Sequence, residues 1–374
     1  MPIMGERRAA LVLLLILCSV LVTLPNIATV SAVEDSWTTL EPLQQARGGL
    51  GIASVNGKIY AIGGCAESGF WPNVSPSEIF GNQDIRGFVG TNEEYDPIKN
   101  NWVFRKQMPT PRGVFAIAVV ENKIFCIGGK TNEGVTGVNE VYDPETDSWE
   151  TKAPVPSAMF AVQGNVIGNK IYVLDHSGTN YVYDSITDSW TTKTPMPNRA
   201  FAYTSVVIGN KIFVIGIFEI GFFSGQASWL HVYDTEADSW SQGRPASLSR
   251  SGGSGVATDG IMAPKKIYLF SYIPYLNQVY DPENNSWGIL TSMSSERIHI
   301  GVSNLNDMLY AIGGYIFDSV GFFEPIGVNE RYTPVGYIPE FPSWTPLLFT
   351  LVAVVGLTFV YRYKLKKQRR FNGV

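Results

Sequence analysis

A tyrosine and a tryptophan recur seven residues apart along this chain. The five copies are Tyr95 and Trp102, Tyr142 and Trp149, Tyr183 and Trp190, Tyr233 and Trp240, and Tyr280 and Trp287. In each copy an aspartate follows the tyrosine and a short polar run leads to the tryptophan, which is typical of a tight turn between two strands. Five copies of one interval indicate a single supersecondary unit that is repeated along the chain.

A second repeated element accompanies this pair. It is a polar pair followed by a run of apolar, β-branched and aromatic residues, and such runs predict buried strands. The six copies occupy residues 57–64, 122–129, 169–174, 210–216, 265–270 and 306–314. The chain therefore contains six repeats.

The order of these elements resembles the kelch repeat over residues 36 to 334: a strand that ends in paired glycines, a Tyr-Asp strand, a tight turn and a Trp strand. The resemblance implies that each repeat forms one four-stranded antiparallel blade of a β-propeller. We therefore expect an all-β, six-bladed propeller. Repeat 4 keeps half of the glycine pair at Gly216, and repeats 3 and 5 lose it, which predicts a less sharply bent strand end there.

The two ends of the repeat array are each incomplete. Tyr332 has no tryptophan seven residues later, and Trp37 has no preceding tyrosine. The two halves complete each other, so we expect Trp37 to begin the outermost strand of the last blade and to close the ring.

These assignments give the expected domain organisation. Residues 1–32 form a signal peptide, 33–334 the propeller, 335–344 a linker, 345–361 a transmembrane helix and 362–374 a basic cytoplasmic tail. The blades span about 47–108, 112–155, 158–197, 199–245, 250–293, and 297–334 together with 36–42.

Both ends of the chain have membrane-directed sequences. Two arginines precede an apolar run over 9–24, and small residues at 30–32 offer a cleavage position, as in a secretory signal peptide. The apolar stretch 345–361 is followed by six basic residues, which favours a single-pass anchor in the cell membrane with an extracellular propeller and a cytoplasmic C-terminus. The alternative is a buried core helix. Residues 339–343 are similar to the Pro-Glu-Phe sorting tails of prokaryotic, particularly archaeal, surface proteins, whose anchor is cut and replaced.

The net charge limits the possible classes of partner, and the cysteine content leaves two possible states of the thiols. The net charge of the chain is −5, and it becomes more negative when the basic ends are left out, which does not suit a nucleic-acid partner. Cys18 belongs to the predicted signal peptide. Cys65 and Cys126 form either a disulfide, which an extracellular site permits, or two buried thiols.

Loop lengths differ between the two faces of the expected ring. We call the face where the glycine pairs end the top, and the face with the Tyr-Asp turns the bottom. The top loops, measured to the tyrosine, contain 31, 13, 8, 16, 8 and 18 residues, whereas the bottom interval is always seven. Variation on one face of a constant scaffold is typical of a binding surface. Since the chain leaves the ring at the bottom shortly before the anchor, we expect the bottom to face the bilayer.

The long top loops are rich in aromatic residues. The candidates for ligand contacts are Trp71, Phe222, Trp229 and Phe322. Aromatic rings on a rim suit stacking on sugars or anchoring of a protein partner. The alternative is that these rings pack on one another and hold the loops together.

An arginine stands where the first strand begins in five of the six blades. These residues, also candidate ligand contacts, are Arg47, Arg112, Arg199, Arg250 and Arg297. Guanidinium groups around the channel would attract carboxylates. The alternative is a role in the repeat's own bonding, for instance with Glu93, Glu140 and Glu330. The asparagines three positions before the tyrosines carry the same two interpretations: Asn92, Asn139, Asn180, Asn277 and Asn329.

Enzyme function has less support in the sequence. The galactose oxidases among kelch propellers need a copper centre, but the three histidines, His176, His231 and His299, are isolated, and we expect no metal, no cofactor and no catalytic residue. The alternative is an enzyme similar to the sialic acid mutarotases (N-acetylneuraminate epimerases), with Arg199, Arg250, Glu219 and Glu324 for acid-base chemistry. The sequence favours a cell-surface recognition or adhesion module that binds a protein or a glycan through its top loops.

Overall fold

The computed structural model describes residues 33–70, 86–160, 163–175, 177–198, 203–218, 227–246, 254–270, 277–317, 322–338 and Thr358. Predictions that concern the two ends of the chain, including the signal peptide and the anchor, lie outside these residues.

The described residues form β-strands joined by turns and loops. In chain order the strands are β1 (Ser36–Leu40), β2 (Gly51–Val55), β3 (Lys58–Ile62), β4 (Gly69–Phe70), β5 (Asn92–Asp96), β6 (Asn101–Arg105), β7 (Ala116–Val120), β8 (Lys123–Ile127), β9 (Asn139–Asp143), β10 (Ser148–Lys152), β11 (Gly164–Ile167), β12 (Lys170–Leu174), β13 (Asn180–Asp184), β14 (Ser189–Lys193), β15 (Tyr203–Ile208), β16 (Lys211–Phe218), β17 (Ala227–Asp234), β18 (Ser239–Gly243), β19 (Ser254–Ala257), β20 (Ile267–Phe270), β21 (Asn277–Asp281), β22 (Ser286–Leu290), β23 (Gly301–Leu305), β24 (Met308–Ile312), β25 (Tyr315–Phe317), β26 (Phe322–Pro325) and β27 (Asn329–Thr333).

Six four-stranded antiparallel sheets are arranged as the blades of a propeller. Their strand orders are β2-β3-β5-β6, β7-β8-β9-β10, β11-β12-β13-β14, β15-β16-β17-β18, β19-β20-β21-β22 and β23-β24-β27-β1. The first strand of each blade contacts the first strands of both neighbouring blades, so these six strands surround a central channel. The predicted all-β, six-bladed fold is confirmed.

The last blade contains both ends of the ring. Strand β1 pairs antiparallel with β27, with Trp37 opposite Tyr332. This register is the one that pairs tyrosine with tryptophan in the other blades, for instance Tyr95 with Trp102. The predicted closure of the ring by the N-terminal strand is confirmed, and the closed sheet leaves no blade with a missing outer strand.

Hydrophobic side chains fill the space between blades. Among the described residues, a buried cluster lies between each of the six pairs of neighbouring blades. The cluster between the fifth and sixth blades contains Phe270 and Tyr332, and Trp37 packs against it. The second strand of each blade alternates its side chains between two such clusters, as Ile59 and Ala61 do with Tyr60 and Ile62, which is why these strands read as nearly continuous apolar runs.

The repeated tyrosine and tryptophan belong to a bonding pattern that we call the inter-blade clasp. The tyrosine and tryptophan rings lie 4.9–5.1 Å apart in all six blades. The tyrosine hydroxyl donates at 2.5–2.8 Å to an Asp or Asn two residues before the tryptophan. These acceptors, which have positive φ angles, are Asn100, Asp147, Asp188, Asp238, Asn285 and Asp35.

The clasp joins each blade to the one before it through the residue that follows the outer strand. The N–H of that residue donates to the Asp or Asn oxygen at 2.8–3.0 Å. Its carbonyl accepts the tryptophan indole N–H at 2.8–3.0 Å. In five blades the same carbonyl accepts the amide of the blade's own asparagine, namely Asn92, Asn139, Asn180, Asn277 and Asn329. The bonding interpretation of these asparagines is therefore confirmed.

The glycine pairs sit where the backbone of one blade approaches another strand closely. Both glycines have positive φ in each intact pair, for instance 61° at Gly63 and 101° at Gly64. A Cβ at Gly64 would lie 2.9 Å from the carbonyl oxygen of Gly48, which excludes any larger residue. In blade 4, by contrast, Gly216 continues an extended strand that reaches Phe218, so its strand end is less sharply bent.

Candidate functional site

Three of the five candidate arginines are internal bonding groups. Arg47, Arg112 and Arg297 are buried, and each forms an ion pair with a glutamate on the third strand of its own blade. The pairs are Arg47 with Glu93, Arg112 with Glu140, and Arg297 with Glu330 at 2.8 Å. The structure therefore supports the bonding interpretation for these three residues rather than ligand contact.

Backbone carbonyls accept further hydrogen bonds from the guanidinium groups of these ion pairs. Arg47 donates to the carbonyls of Ala61 and Gly63, both at 2.8 Å. Glu93 in turn accepts the N–H of Gln44 at 2.8 Å, so the pair fastens the segment that leads into the blade. Burial lowers the pKa of Arg47, and it lowers the pKa of Arg297 to about 10, while the paired glutamates act in the opposite direction.

The same position differs in the other blades. Two residues before the tyrosine, blades 3, 4 and 5 carry Tyr181, His231 and Gln278 in place of glutamate. Arg199 and Arg250 belong to blades 4 and 5 and lie outside the described residues. In the blades of Arg199 and Arg250, the position two residues before the tyrosine therefore carries no carboxylate, whereas it carries the paired glutamate in the blades of the other three arginines.

His231 lies in a buried aromatic pocket of blade 4. Its Nε2 is 2.8 Å from the Asn198 amide, and its ring is 4.6 Å from that of Trp229. Burial lowers the pKa of His231, because it disfavours the charged imidazolium. The expectation that Trp229 lies in an exposed loop is wrong, because it is on β17 and only 5% of it is exposed. Gly216 on the paired strand makes room for the indole, which would lie 2.2 Å from a Cβ there.

Loops of the first and last blades combine into a small sheet at the top. Strands β25 and β26 form a hairpin, and β4 from the first blade pairs with β26. Tyr315 and Phe323 point inward and are buried, and the Tyr315 hydroxyl donates to the Cys65 carbonyl at 2.9 Å. We call this three-stranded sheet, Gly69–Phe70, Tyr315–Phe317 and Phe322–Pro325, the top sheet.

The outer side of the top sheet is partly apolar. Phe322 is 41% exposed and Ile316 is 37% exposed, and the Glu324 side chain is exposed next to them. The candidate Phe322 thus lies on the surface, while Trp71 and Phe222 lie outside the described residues. Sequence reasoning missed the sheet itself, because the two loops that form it are about 250 residues apart in the chain.

The central channel is a polar cavity of about 480 Å³. Its lining includes Gln163, Ser205, Ser254, Asp259 and His299. Hydrogen bonds also join the first strands of neighbouring blades, such as the one between the Ser54 and Ser303 hydroxyls at 2.6 Å. Burial, followed by the nearby Asp307, raises the pKa of Asp259. Arg47, Arg112 and Arg297, the three candidate arginines that the structure describes, do not line this cavity.

The thiols and histidines form no common centre in the described part of the chain. Cys65 and Cys126 are buried and unpaired with each other, so the alternative of two buried thiols is confirmed. Burial raises the pKa of both, to about 12 for Cys126. No group of three or more His, Cys, Asp or Glu residues arranged to hold a metal occurs among the described residues.

Comparisons with known proteins identify the repeat. The family model for the kelch motif matches residues 111–156, which contain the second blade. The second blade therefore matches the kelch motif, and the chain is similar to kelch-repeat proteins. Similar proteins include the mouse influenza virus NS1A-binding protein homolog (33% identical over 90 residues), human Kelch-like protein 28 (30% over 95) and human Kelch repeat and BTB domain-containing protein 12 (28% over 99).

These matches cover only part of this chain and only part of each relative. They cover 24–26% of this chain and 11–15% of the relatives. Within the described residues, no helix has the length and apolar character needed to cross a membrane.

Proposed function

We propose that this kelch propeller is a recognition module at the cell surface that binds a protein partner through its top face. The observation that carries the proposal is the top sheet. Tyr315 and Phe323 anchor it from below, so Phe322 and Ile316 are presented outward on a paired backbone rather than on a free loop. Rigid aromatic and aliphatic side chains that are partly exposed suit an anchoring role at a protein interface.

The two faces of the ring differ in a way that supports this choice. The clasp repeats one geometry in all six blades and fixes the five tyrosine-to-tryptophan turns, so this part of the bottom face varies little from blade to blade. The loops that connect the second and third strands vary in length and lie at the top. The name of the NS1A-binding relatives records binding of a protein, which is in line with a protein ligand here.

We assign a role in ligand binding to Arg199 and Arg250. Glutamates neutralise the corresponding arginines of blades 1, 2 and 6, but blades 4 and 5 have His231 and Gln278 at the glutamate position. These two guanidinium groups would pair with carboxylates of the partner. Their substitution should weaken binding, whereas substitution of Arg47 should unfold its blade.

The location is also part of the proposal. A signal peptide over 1–32 and an anchor over 345–361 would place the propeller outside the cell, with the bottom towards the membrane and the top sheet away from it. Surface proteolysis of intact cells tests this orientation. Cleavage at the Tyr-Asp turns before the 65–91 loop would reverse it.

Binding can be tested with the full chain in lipid nanodiscs. Surface proteins are captured with the native chain, with the double variant Phe322→Ala and Ile316→Ala, and with Ile98→Ala, which changes an exposed residue on the bottom face. The proposal predicts a partner that is lost only with the double variant. Equal capture by all three chains contradicts it.

The same variants separate the alternatives. Binding on a glycan array that is lost with the double variant would make the ligand a glycan. Anomerisation of sialic acid by the chain, followed by NMR and lost in Arg199→Ala, would replace the binding function with the mutarotase alternative.

A further inference from the structure

One part of the bottom face is built differently from the rest. Two residues join the first and second strands in five blades, but residues 258–266 join them in blade 5. The buried Asp307 carboxylate, from the corresponding hairpin of blade 6, accepts the backbone N–H groups of Asp259, Ile261 (2.7 Å), Met262 (2.6 Å) and Ala263 (3.1 Å). Four such bonds fix the long loop in one conformation.

The segment that leaves the ring is bound to this loop. The Ile338 N–H donates to the Met262 carbonyl at 2.7 Å, and the Gly336 N–H donates to the Glu34 carboxylate at 2.8 Å. We call the loop 258–266 and the segment 334–338 together the exit corner. It holds the chain against the ring for five residues after the last strand.

The exit corner exposes apolar side chains that the ring does not use. Ile261 is 78% exposed, Ile338 is 65% exposed and Val335 is 53% exposed. In three other blades, the second strand begins and the third strand ends in an ion pair on the bottom face: Lys58 with Asp96, Lys123 with Asp143 and Lys211 with Asp234. Single exposed isoleucines, Ile98 and Ile186, lie on separate turns of this face, whereas the exit corner brings three aliphatic residues together. A cluster of exposed aliphatic residues on a fixed scaffold is typical of a contact surface.

The length of the following chain indicates what this surface contacts. Seven residue steps separate Ile338 from Thr345, the first residue of the apolar stretch 345–361, and they span at most about 25 Å when fully extended. Because Met262 holds Ile338, the exit corner cannot move further than this from whatever surface the apolar stretch enters. Exposed Lys265 in the same loop supplies a cation that can pair with a lipid phosphate.

We infer that the exit corner inserts Ile261, Val335 and Ile338 into the headgroup boundary of the lipid bilayer, so that the bottom face of the propeller rests on the membrane. The inference depends on the membrane anchor of the proposed function. It adds a second contact with the lipid and a fixed orientation of the ring.

Depth-dependent fluorescence quenching tests this contact in the full chain. An environment-sensitive fluorophore is attached to Ile261→Cys, or to Val135→Cys in a top loop of blade 2, in a chain that carries Cys18→Ala. Val135 is 43% exposed, so both sites accept a label, and Cys65 and Cys126 are buried. The chains are placed in phosphatidylcholine nanodiscs that contain a spin-labelled lipid.

We expect quenching at position 261 to exceed that at position 135 about threefold or more, because an interfacial residue lies about 5–10 Å deep in the boundary layer. Equal, weak quenching at both positions in chains that have entered the nanodiscs would overturn the inference and leave the anchor intact. Chains that do not enter nanodiscs at all would refute the anchor, and the inference with it.

Discussion

The hydroxyl of Tyr332 donates a hydrogen bond to the carboxylate of Asp35 at 2.7 Å, although 297 residues separate them in the chain. In each of the other five blades the same bond joins residues only five positions apart, for instance Tyr142 and Asp147 at 2.7 Å. In the closing blade, the two ends of the propeller therefore form the same clasp that a single turn forms in each of the other five blades. Ring closure uses no special interaction.

Replacement of Asp35 by alanine should destabilise the ring by about 1–3 kcal/mol, because the Tyr332 hydroxyl and the Thr291 N–H both lose their acceptor. Asp35→Asn should lose less stability than Asp35→Ala, because an Asn oxygen can accept the same bonds, as Asn100 and Asn285 do in two blades. Urea unfolding of the two variants and the native chain measures the difference. Equal losses for alanine and asparagine would show that the acceptor oxygen is not what matters.

Replacement of Glu140 by alanine should cost about 3–5 kcal/mol of stability, because it leaves the buried Arg112 guanidinium without its counter-ion. The matched control is Lys152→Ala, which removes a pair with Glu150 whose carboxylate side chain is 60% exposed, and it should change stability by less than about 1 kcal/mol. The comparison is made by chemical denaturation. A loss of similar size in both variants would argue against an internal role for the arginines.

Acid should weaken the clasps. The hydrogen bond from Tyr233, followed by that from the Thr194 N–H, lowers the pKa of Asp238 to about 2 in the folded chain, below the value of about 3.9 for an unfolded aspartate. A lowered folded pKa contributes stability above the unfolded pKa, and that stability is lost as the pH falls from about 4 to 2. The stability difference between the native chain and Asp238→Asn should therefore shrink over this interval. Urea midpoints at several pH values test it, and a constant difference contradicts it.

Replacement of Asp307 by alanine should release the exit corner without opening the blades. The backbone amides of Ile261, Met262 and Ala263 lose their common acceptor, so they should exchange hydrogen about tenfold faster or more, and the Ile338 amide with them. Amides of β7 serve as the internal control and should not change. Hydrogen exchange by mass spectrometry gives both rates, and faster exchange in β7 would mean that the whole ring depends on Asp307.

Both cysteines of the propeller should resist modification in the folded chain. Burial raises the pKa of Cys126 to about 12, and it raises that of Cys65, so neither forms the reactive thiolate near neutral pH. Alkylation should reach both thiols only after unfolding, and mass spectrometry can count the added groups. A mass two units lower that is restored by reduction would instead reveal a disulfide.

Much of the fold could be predicted because the tyrosine and tryptophan occupy facing positions in a fixed antiparallel register. The unmatched Trp37 and Tyr332 gave the ring closure for the same reason. The acceptor two residues before each tryptophan was also present in the sequence, as an Asp or Asn in all six repeats, but its role depends on a contact with the preceding blade. This contact between blades cannot be inferred from the repeat pattern alone.

Features formed between distant loops could not be predicted. The top sheet pairs Phe322 with Phe70, from the last and first blades. The position of Trp229 on a strand could not be predicted, since nothing in the sequence indicates that β16 and β17 extend as far as eight residues each. Arg47 and Glu93 were recognised as a candidate pair, but only the structure distinguishes a buried ion pair from a ligand site at the same edge.

The central claim is that the first and last segments share one sheet in a closed ring of six blades. Native-state hydrogen exchange of β1 tests it most directly. The amides of Ser36–Leu40 that bond to β27 should exchange only with global unfolding. Their exchange should be as slow as that of the amides that join β9 and β10 in the second blade. Exchange of β1 at the rate of a frayed chain end, with β9 and β10 still protected, would contradict the closed ring.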